Sequence, residues 1–202
     1  MAMPPRIPLF DLGNVIIRVD FEPFLSWLAE RSSSGSREQA GTVLNSSLFF
    51  EYEFGNISRE QFASGLAVLF GASISLPELE ERFCAIFPGP VEGIEELLAE
   101  LAAEGPLYAL SNTNELHLEW LRRNHSGLMG KFTKIFASHE LRARKPSVGI
   151  YRDVAGELGV PASSLVFFDD LEANVEGARR AGLEAHLFRE TGQARAVLKR
   201  MG

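Results

Sequence analysis

The chain contains a single cysteine, Cys84, among its 202 residues, so no intrachain disulfide can form and no cysteine cluster can hold a metal. A lone thiol usually behaves as a small hydrophobe, and the expectation for Cys84 is a buried, reduced side chain. Basic residues are also short: 20 Lys and Arg against 27 Asp and Glu leave a formal charge of -7. Phosphate-backbone binding needs the opposite sign clustered on one face, which argues against nucleic acid as a partner. No apolar run approaches the roughly 20 residues that cross a bilayer. The residues before the first apolar run lack the stretch of a secretory signal, so the expectation is a soluble, cytoplasmic protein without a membrane partner. No Gly-x-Gly-x-x-Gly or Gly-x4-Gly-Lys-Ser/Thr stretch follows a strand, which disfavours a nucleotide-binding module.

What is present is a strong apolar rhythm, with 46% of residues hydrophobic. From Pro90 onward, short apolar runs at 106–111, 134–138, 164–169 and 184–188 alternate with amphipathic segments at 91–104, 114–125, 147–159, 172–182 and 191–200. Such alternation predicts parallel strands joined by helical crossovers. With the run Ile7 to Phe10 it gives an α/β fold, a Rossmann-like five-stranded parallel sheet sandwiched by helices. Residues 21–88 break the rhythm and read as helices at 21–29, 37–45, 58–70 and 76–87. Ser58 with Gln61 is a capping-box pattern, and Pro77 suits a first helical turn. The Ser- and Gly-rich stretch 31–36 is short enough for a helix connection. The expected organisation is a core of residues 1–20 and 89–202 with a small helical cap of residues 21–88 inserted after the first strand.

Four polar clusters end apolar runs: Asp11, Ser111-Asn112-Thr113-Asn114, Arg144-Lys145-Pro146 and Asp169-Asp170. The crevice outside the carboxyl ends of parallel strands collects ligands, so the four belong to one candidate site. Each also has a plain structural reading. Asp11 with Gly13 makes an ordinary turn, yet a carboxylate there can be a nucleophile, and glycine lets the backbone turn sharply and brings a carbonyl near a cation. Asp169-Asp170 suits a helix start, yet adjacent acids beside a core repel each other unless a cation such as Mg²⁺ joins them. Ser111 and Asn112 are common loop residues, but a hydroxyl and backbone N–H groups at a helix N-terminus bind phosphoryl oxygens. Lys145 is either a solvated charge or a fixed cation that neutralises a transferring phosphoryl group and keeps Asp11 ionised.

The ordered set Phe10-Asp11-Leu12-Gly13-Asn14-Val15, Leu110-Ser111-Asn112-Thr113-Asn114, Arg144-Lys145-Pro146 and Phe168-Asp169-Asp170 resembles the haloacid dehalogenase-like hydrolase superfamily. With His117 and Asn174, it looks like the bacterial branch containing α-glucose-1-phosphate phosphatases, which is similar to the N-terminal phosphatase domain of epoxide hydrolases. The resemblance implies a Mg²⁺-dependent phosphatase acting on a small phosphorylated metabolite, a sugar phosphate such as glucose 1-phosphate, through an aspartyl-phosphate. By the same resemblance Asp11 is the nucleophile, Ser111 a phosphate donor and Lys145 the charge-compensating base. Asp170 is a direct metal ligand with Asp169 behind it, the Gly13 carbonyl completes the set, and Asn174 orients the acidic loop.

One position departs from the pattern. Most family phosphatases carry a second Asp two residues after the nucleophile, as general acid and base, where this chain has Gly13. Glu51 and Glu53 in the insertion are candidate replacements, although a solvated acid is the commoner fate. His117 sits one turn into its helix, where it either packs or reaches substrate with Ser111, Asn112 and Lys145. Phe49, Phe50, Tyr52 and Phe54 suit packing better than a sugar platform, and Gly55 permits a turn toward the crevice. Two alternatives stand: a 2-haloacid dehalogenase-type hydrolase, whose relatives lack the second Asp and need no metal, and a catalytically silent phosphate-binding protein. The sequence fixes no oligomeric state.

Overall fold

A computed structural model describes residues 6–32 and 36–200. Residues 1–5, and 33–35 within the expected Ser- and Gly-rich connection, lie outside the described residues. The strands are β1 (Ile7–Phe10), β2 (Tyr108–Ser111), β3 (Lys134–Ala137), β4 (Leu165–Asp169) and β5 (Glu184–Leu187). They form one parallel sheet in the order β3-β2-β1-β4-β5. This is the expected fold class. Alternate residues of each strand serve opposite faces. Phe10, Ala109, Val166 and Phe168 join one hydrophobic cluster, whereas Leu9, Leu110, Leu165 and Phe167 join another.

Helices α1 (Glu22–Arg31), α2 (Arg37–Thr42), α3 (Ser47–Glu53), α4 (Arg59–Phe70) and α5 (Leu76–Cys84) lie between β1 and β2, followed by α6 (Ile94–Glu104). The insertion has its own apolar centre around Phe24, Leu28, Phe62, Leu66 and Phe83. The segments that lead into and out of it run side by side: Arg18 N donates to Gly89 O at 2.9 Å and Val91 N to Ile16 O at 3.0 Å. Ser58 and Gln61 form the expected capping box of α4. Helix α3 is a correction to the sequence reading, which left residues 46–57 without an element. Ser46 caps it by accepting from Phe49 N at 3.2 Å, a start signal that a cluster of aromatics obscured. Cys84 is buried as expected, and burial pushes its thiol up to about 12.

The remaining helices are α7 (Glu115–Asn124), α8 (Ser126–Met129), α9 (Ser138–Leu141), α10 (Val148–Leu158), α11 (Glu172–Ala181) and α12 (Thr191–Lys199). The sequence reading missed α8 and α9, each a single turn with little periodicity to detect. Among the described residues no helix is long and apolar enough to cross a membrane.

Candidate active site

β1 lies between β2 and β4, so the crevice outside its carboxyl end is a topological switch point where an α/β sheet accepts ligands. Asp11 leaves β1 there, held by its own N–H to Phe168 O at 2.9 Å. Ser111 ends β2, Asp169 ends β4, and Lys145 comes from the loop between α9 and α10. All four are buried. Lys145 Nζ lies 2.8 Å from Asp11 Oδ1 and 2.6 Å from Asp169 Oδ2.

The three carboxylates of Asp11, Asp169 and Asp170 each offer an oxygen within 4.8 Å of the others. Asp169 is fully buried and satisfied by Lys145, by Leu171 N at 2.9 Å and by Asn174 Nδ2 at 2.9 and 3.1 Å. Asp170 is partly buried and accepts from Asn14 Nδ2 at 3.1 Å. Burial pushes the Asp11 carboxyl up to about 7; Lys145 opposes this, and Asp169 and Asp170 add to it. Burial also raises Asp170, with Asn14 opposing. At Lys145 burial works against the charge, but Asp11 and Asp169 outweigh it and hold the ammonium above its usual range. Asp11 and Lys145 are thus both raised. Lys145, shared by two carboxylates, is the group that stays charged, and the surplus negative charge burdens Asp11. When all three are ionised, three carboxylates around one ammonium leave two charges uncompensated. A hard, oxygen-seeking dication such as Mg²⁺ fits that charge and donor set.

Asparagines hold these groups in place. The carboxamide of Asn112 donates to Lys145 O at 3.0 Å and accepts from Lys145 N at 2.9 Å. Its side chain is therefore committed to positioning the lysine, which leaves only its backbone for the expected phosphate contact. Asn174 orients Asp169, as expected. Asn14 adopts a left-handed backbone with φ 53°, which Asn tolerates better than most residues. It thereby presents its amide to Asp170. The sharp turn expected at Gly13 falls instead on Asn14, and Gly13 has no positive φ. The signal that could have found Asn14 was its place directly after Gly in a turn.

His117 is a further correction. It lines the same cavity as Asp11 and Ser111, but both its ring nitrogens are engaged, Nδ1 with Asn114 Nδ2 at 3.0 Å and Nε2 with Phe83 O at 3.2 Å. Burial pushes its pKa down to about 3, so the ring is neutral. It joins α7 to the insertion and has no nitrogen left for a phosphate. The two candidate acids of the insertion also separate. Glu51 is exposed and bonded to Asn56. Glu53 is buried in the cavity wall, with Arg144 Nη2 2.6 Å away. Burial raises the Glu53 carboxyl, opposed by Arg144 and Lys145. Arg144 lies over the Phe50 ring at 4.6 Å and the Phe54 ring at 5.8 Å, while Tyr52 stacks on Phe62 at 4.5 Å. Phe50, Tyr52 and Phe54 are packing residues, whereas Phe49 packs in the insertion's cluster and also lines the cavity. Gly55 has φ +67°, and a Cβ there would stand 2.2 Å from His139 O. Ser138 donates to Glu53 O at 2.7 Å, so α3 is seated directly on α9.

Residues 9–182 match the haloacid dehalogenase-like hydrolase family, and the chain belongs to it. Drimenol cyclase drtB of Aspergillus calidoustus is 26% identical over 208 residues, covering 96% of this chain and 36% of the cyclase. The chain thus spans about a third of that relative's length. D-ribitol-5-phosphate phosphatase of Bacteroides thetaiotaomicron is 23% identical and covers 87% of this chain and 88% of its own. Sesquiterpene phosphatase astK of Aspergillus oryzae is 27% identical, with 88% and 87% covered. Among solved structures, a HAD family enzyme of B. thetaiotaomicron shares the fold with a TM-score of 0.84 at 24% identity, over 94% of this chain and 96% of that one. The same enzyme in complex with magnesium and inorganic phosphate gives a TM-score of 0.81 at 23% identity, over 93% and 96%.

Proposed function

We propose that the protein is a Mg²⁺-dependent phosphatase that hydrolyses a small phosphorylated metabolite through an aspartyl-phosphate on Asp11. The observation that carries this reading is the three-carboxylate cluster with its two uncompensated charges, joined to a fixed Lys145 and to Ser111 in one cavity. A metal-independent dehalogenase would leave that surplus unbalanced. In this reading an Asp11 oxygen attacks phosphorus, the bond from phosphorus to the ester oxygen breaks, and the leaving oxygen takes a proton from water. A second water attacks the phosphorus of the acyl-phosphate, the bond to Asp11 breaks, and inorganic phosphate departs with the carboxylate restored. Ser111 donates to a phosphoryl oxygen, and Lys145 offsets the charge that builds on the phosphoryl group. Asp11, Asp170 and the Gly13 carbonyl would hold Mg²⁺, with Asp169 supporting from behind. When bound, the ion would supply electrostatic stabilisation of the phosphoryl oxygens.

Residues 21–88 would act as a cap domain over a core of residues 1–20 and 89–202. Kinship does not choose the leaving group, since one relative carries the name of a sugar-alcohol phosphatase and another that of a sesquiterpene phosphatase. Glucose 1-phosphate, brought forward by the resemblance to α-glucose-1-phosphate phosphatases, belongs in the first panel. The test is inorganic phosphate release from phosphorylated metabolites in Mg²⁺ and in chelator, for wild type beside Asp11→Asn. Release that needs both Mg²⁺ and Asp11 is expected; release that survives in Asp11→Asn would sink the mechanism.

A further inference from the structure

The cavity above Asp11 encloses about 310 Å³, the lower end of the range for small-molecule sites. Its lining is part polar and part apolar. Asp11, Ser111, Lys145 and Asp170 come from the strand ends and the loops beside them. Val19, Phe21, Leu44, Phe49 and Ile86 line it as well, and all belong to or pack against the hydrophobic cluster of the insertion, while Leu12, Ile17 and Leu121 add apolar surface from the sheet side. Leu171, 56% exposed, extends the apolar surface from the core side. Among the polar lining residues away from the carboxylates, both nitrogens of His117 are engaged and Glu53 is ion-paired with Arg144, with Glu53 Oε2 and Arg144 Nε buried and without a hydrogen-bond partner. A leaving group with many hydroxyls would therefore find few uncommitted partners here, and a buried hydroxyl without a partner weakens binding. A hydrocarbon body would instead gain from every carbon that it removes from water.

We propose that this wall receives the alcohol portion of the phosphate ester and selects a hydrocarbon-bodied alcohol, such as an alkyl or alkenyl monophosphate, over a sugar phosphate. The proposal rests on the phosphoryl site proposed above. Binding and turnover can be read separately. n-Alkylphosphonates, whose carbon–phosphorus bond this chemistry does not cleave, measure the wall by titration calorimetry in Mg²⁺. Full burial would tighten binding about three- to fourfold per methylene. For a cavity open at one side, at least about a tenfold fall in Kd from ethyl- to hexylphosphonate is expected, and Leu44→Asn should flatten that dependence. Hexyl phosphate and glucose 6-phosphate, both esters of six-carbon primary alcohols, then compare a hydrocarbon with a polyol at similar leaving-group ability. The expected result is a higher kcat/KM for the hexyl ester. A Kd independent of chain length, or a preference for glucose 6-phosphate, would overturn the proposal. Chain-length-dependent phosphonate binding without Asp11-dependent phosphate release from any ester would support the apolar wall and remove the phosphatase reading instead.

Discussion

Lys145 Nζ stands 2.6 Å from Asp169 Oδ2, and both side chains are almost wholly removed from solvent. The same ammonium lies 2.8 Å from Asp11. Removing one partner of such a buried cluster strands the others, at about 3–5 kcal/mol. Lys145→Met should therefore lower the unfolding free energy of the metal-free protein by that order at neutral pH, read by urea denaturation. Saturating Mg²⁺ should return part of the loss by offsetting the same carboxylates. Lys145→Arg should not rescue activity, because a forked guanidinium does not fit a pocket shaped for a single ammonium. A metal-free Lys145→Met protein as stable as wild type would show that the carboxylates do not need the lysine.

Asn112 makes two hydrogen bonds to the backbone of Lys145, so its effect is exerted through the lysine. Asn112→Ala should cost about 2 kcal/mol, near 1 for each bond. It should also lower kcat at least about tenfold while KM moves little, since a misplaced charge matters most as the transition state forms. A rise in KM with kcat preserved would instead assign Asn112 to ground-state substrate binding.

At Gly13 the backbone has no positive φ, and a Cβ would meet Val19 Cγ2 at 3.4 Å, an ordinary contact. The missing acid is thus not imposed by the fold. Gly13→Asp should fold, with a Tm lowered in chelator by the added carboxylate and recovered in Mg²⁺, and should raise kcat on alkyl phosphates, the poorest leaving groups, by at least about tenfold, within the usual reach of general acid catalysis. A Tm recovered in Mg²⁺ with lower turnover would show that the space beside Gly13 is needed by the leaving group.

The sheet was legible because fully buried parallel strands are continuous apolar runs, and Val166 to Phe168 could hardly be anything else. The clustering of Asp11, Ser111, Lys145 and Asp169 was legible because each ends or follows such a run. The supporting side chains were harder to read. Asn112 was expected beside the phosphate and His117 was open between packing and substrate, and both side chains turned out to be engaged with another part of the protein. Nothing local distinguishes an asparagine that bonds a loop 33 residues away from one that faces a ligand. Arg144, between α9 and α10, and Glu53, at the end of α3, meet in an ion pair that no sequence spacing encodes. Helix α3 was lost because four aromatics within six residues mask helical periodicity.

Gly55 tests how closely α3 must approach α9. Its φ of +67° disfavours any side chain, and an added Cβ would stand 2.2 Å from the His139 carbonyl oxygen. Gly55→Ala should cost more than about 2 kcal/mol, combining left-handed strain with overpacking. Hydrogen exchange should rise in α3 and α9 ahead of the sheet. Uniform exchange changes across the whole chain would mean that the two helices do not separate as a unit.

His117 supplies a pH dependence whose sign follows from its burial. Its pKa falls from 6.5 to about 3 in the folded chain, because the ring is desolvated. Between those values the unfolded chain binds the extra proton and the folded chain does not, so stability is fully present above pH 6.5 and is lost as pH falls toward 3. The ring would have to charge between the rings of Phe83 and Phe87, centred 4.0 and 5.1 Å away. His117→Gln keeps hydrogen-bonding capacity toward Asn114 and the Phe83 carbonyl without a titrating group. That variant should be less stable than wild type at pH 7.5, yet lose less stability on acidification from pH 6.5 to 4.5. Parallel stability-versus-pH curves for the two proteins would place the acid sensitivity elsewhere, in the carboxylate cluster rather than at the junction between α7 and the insertion.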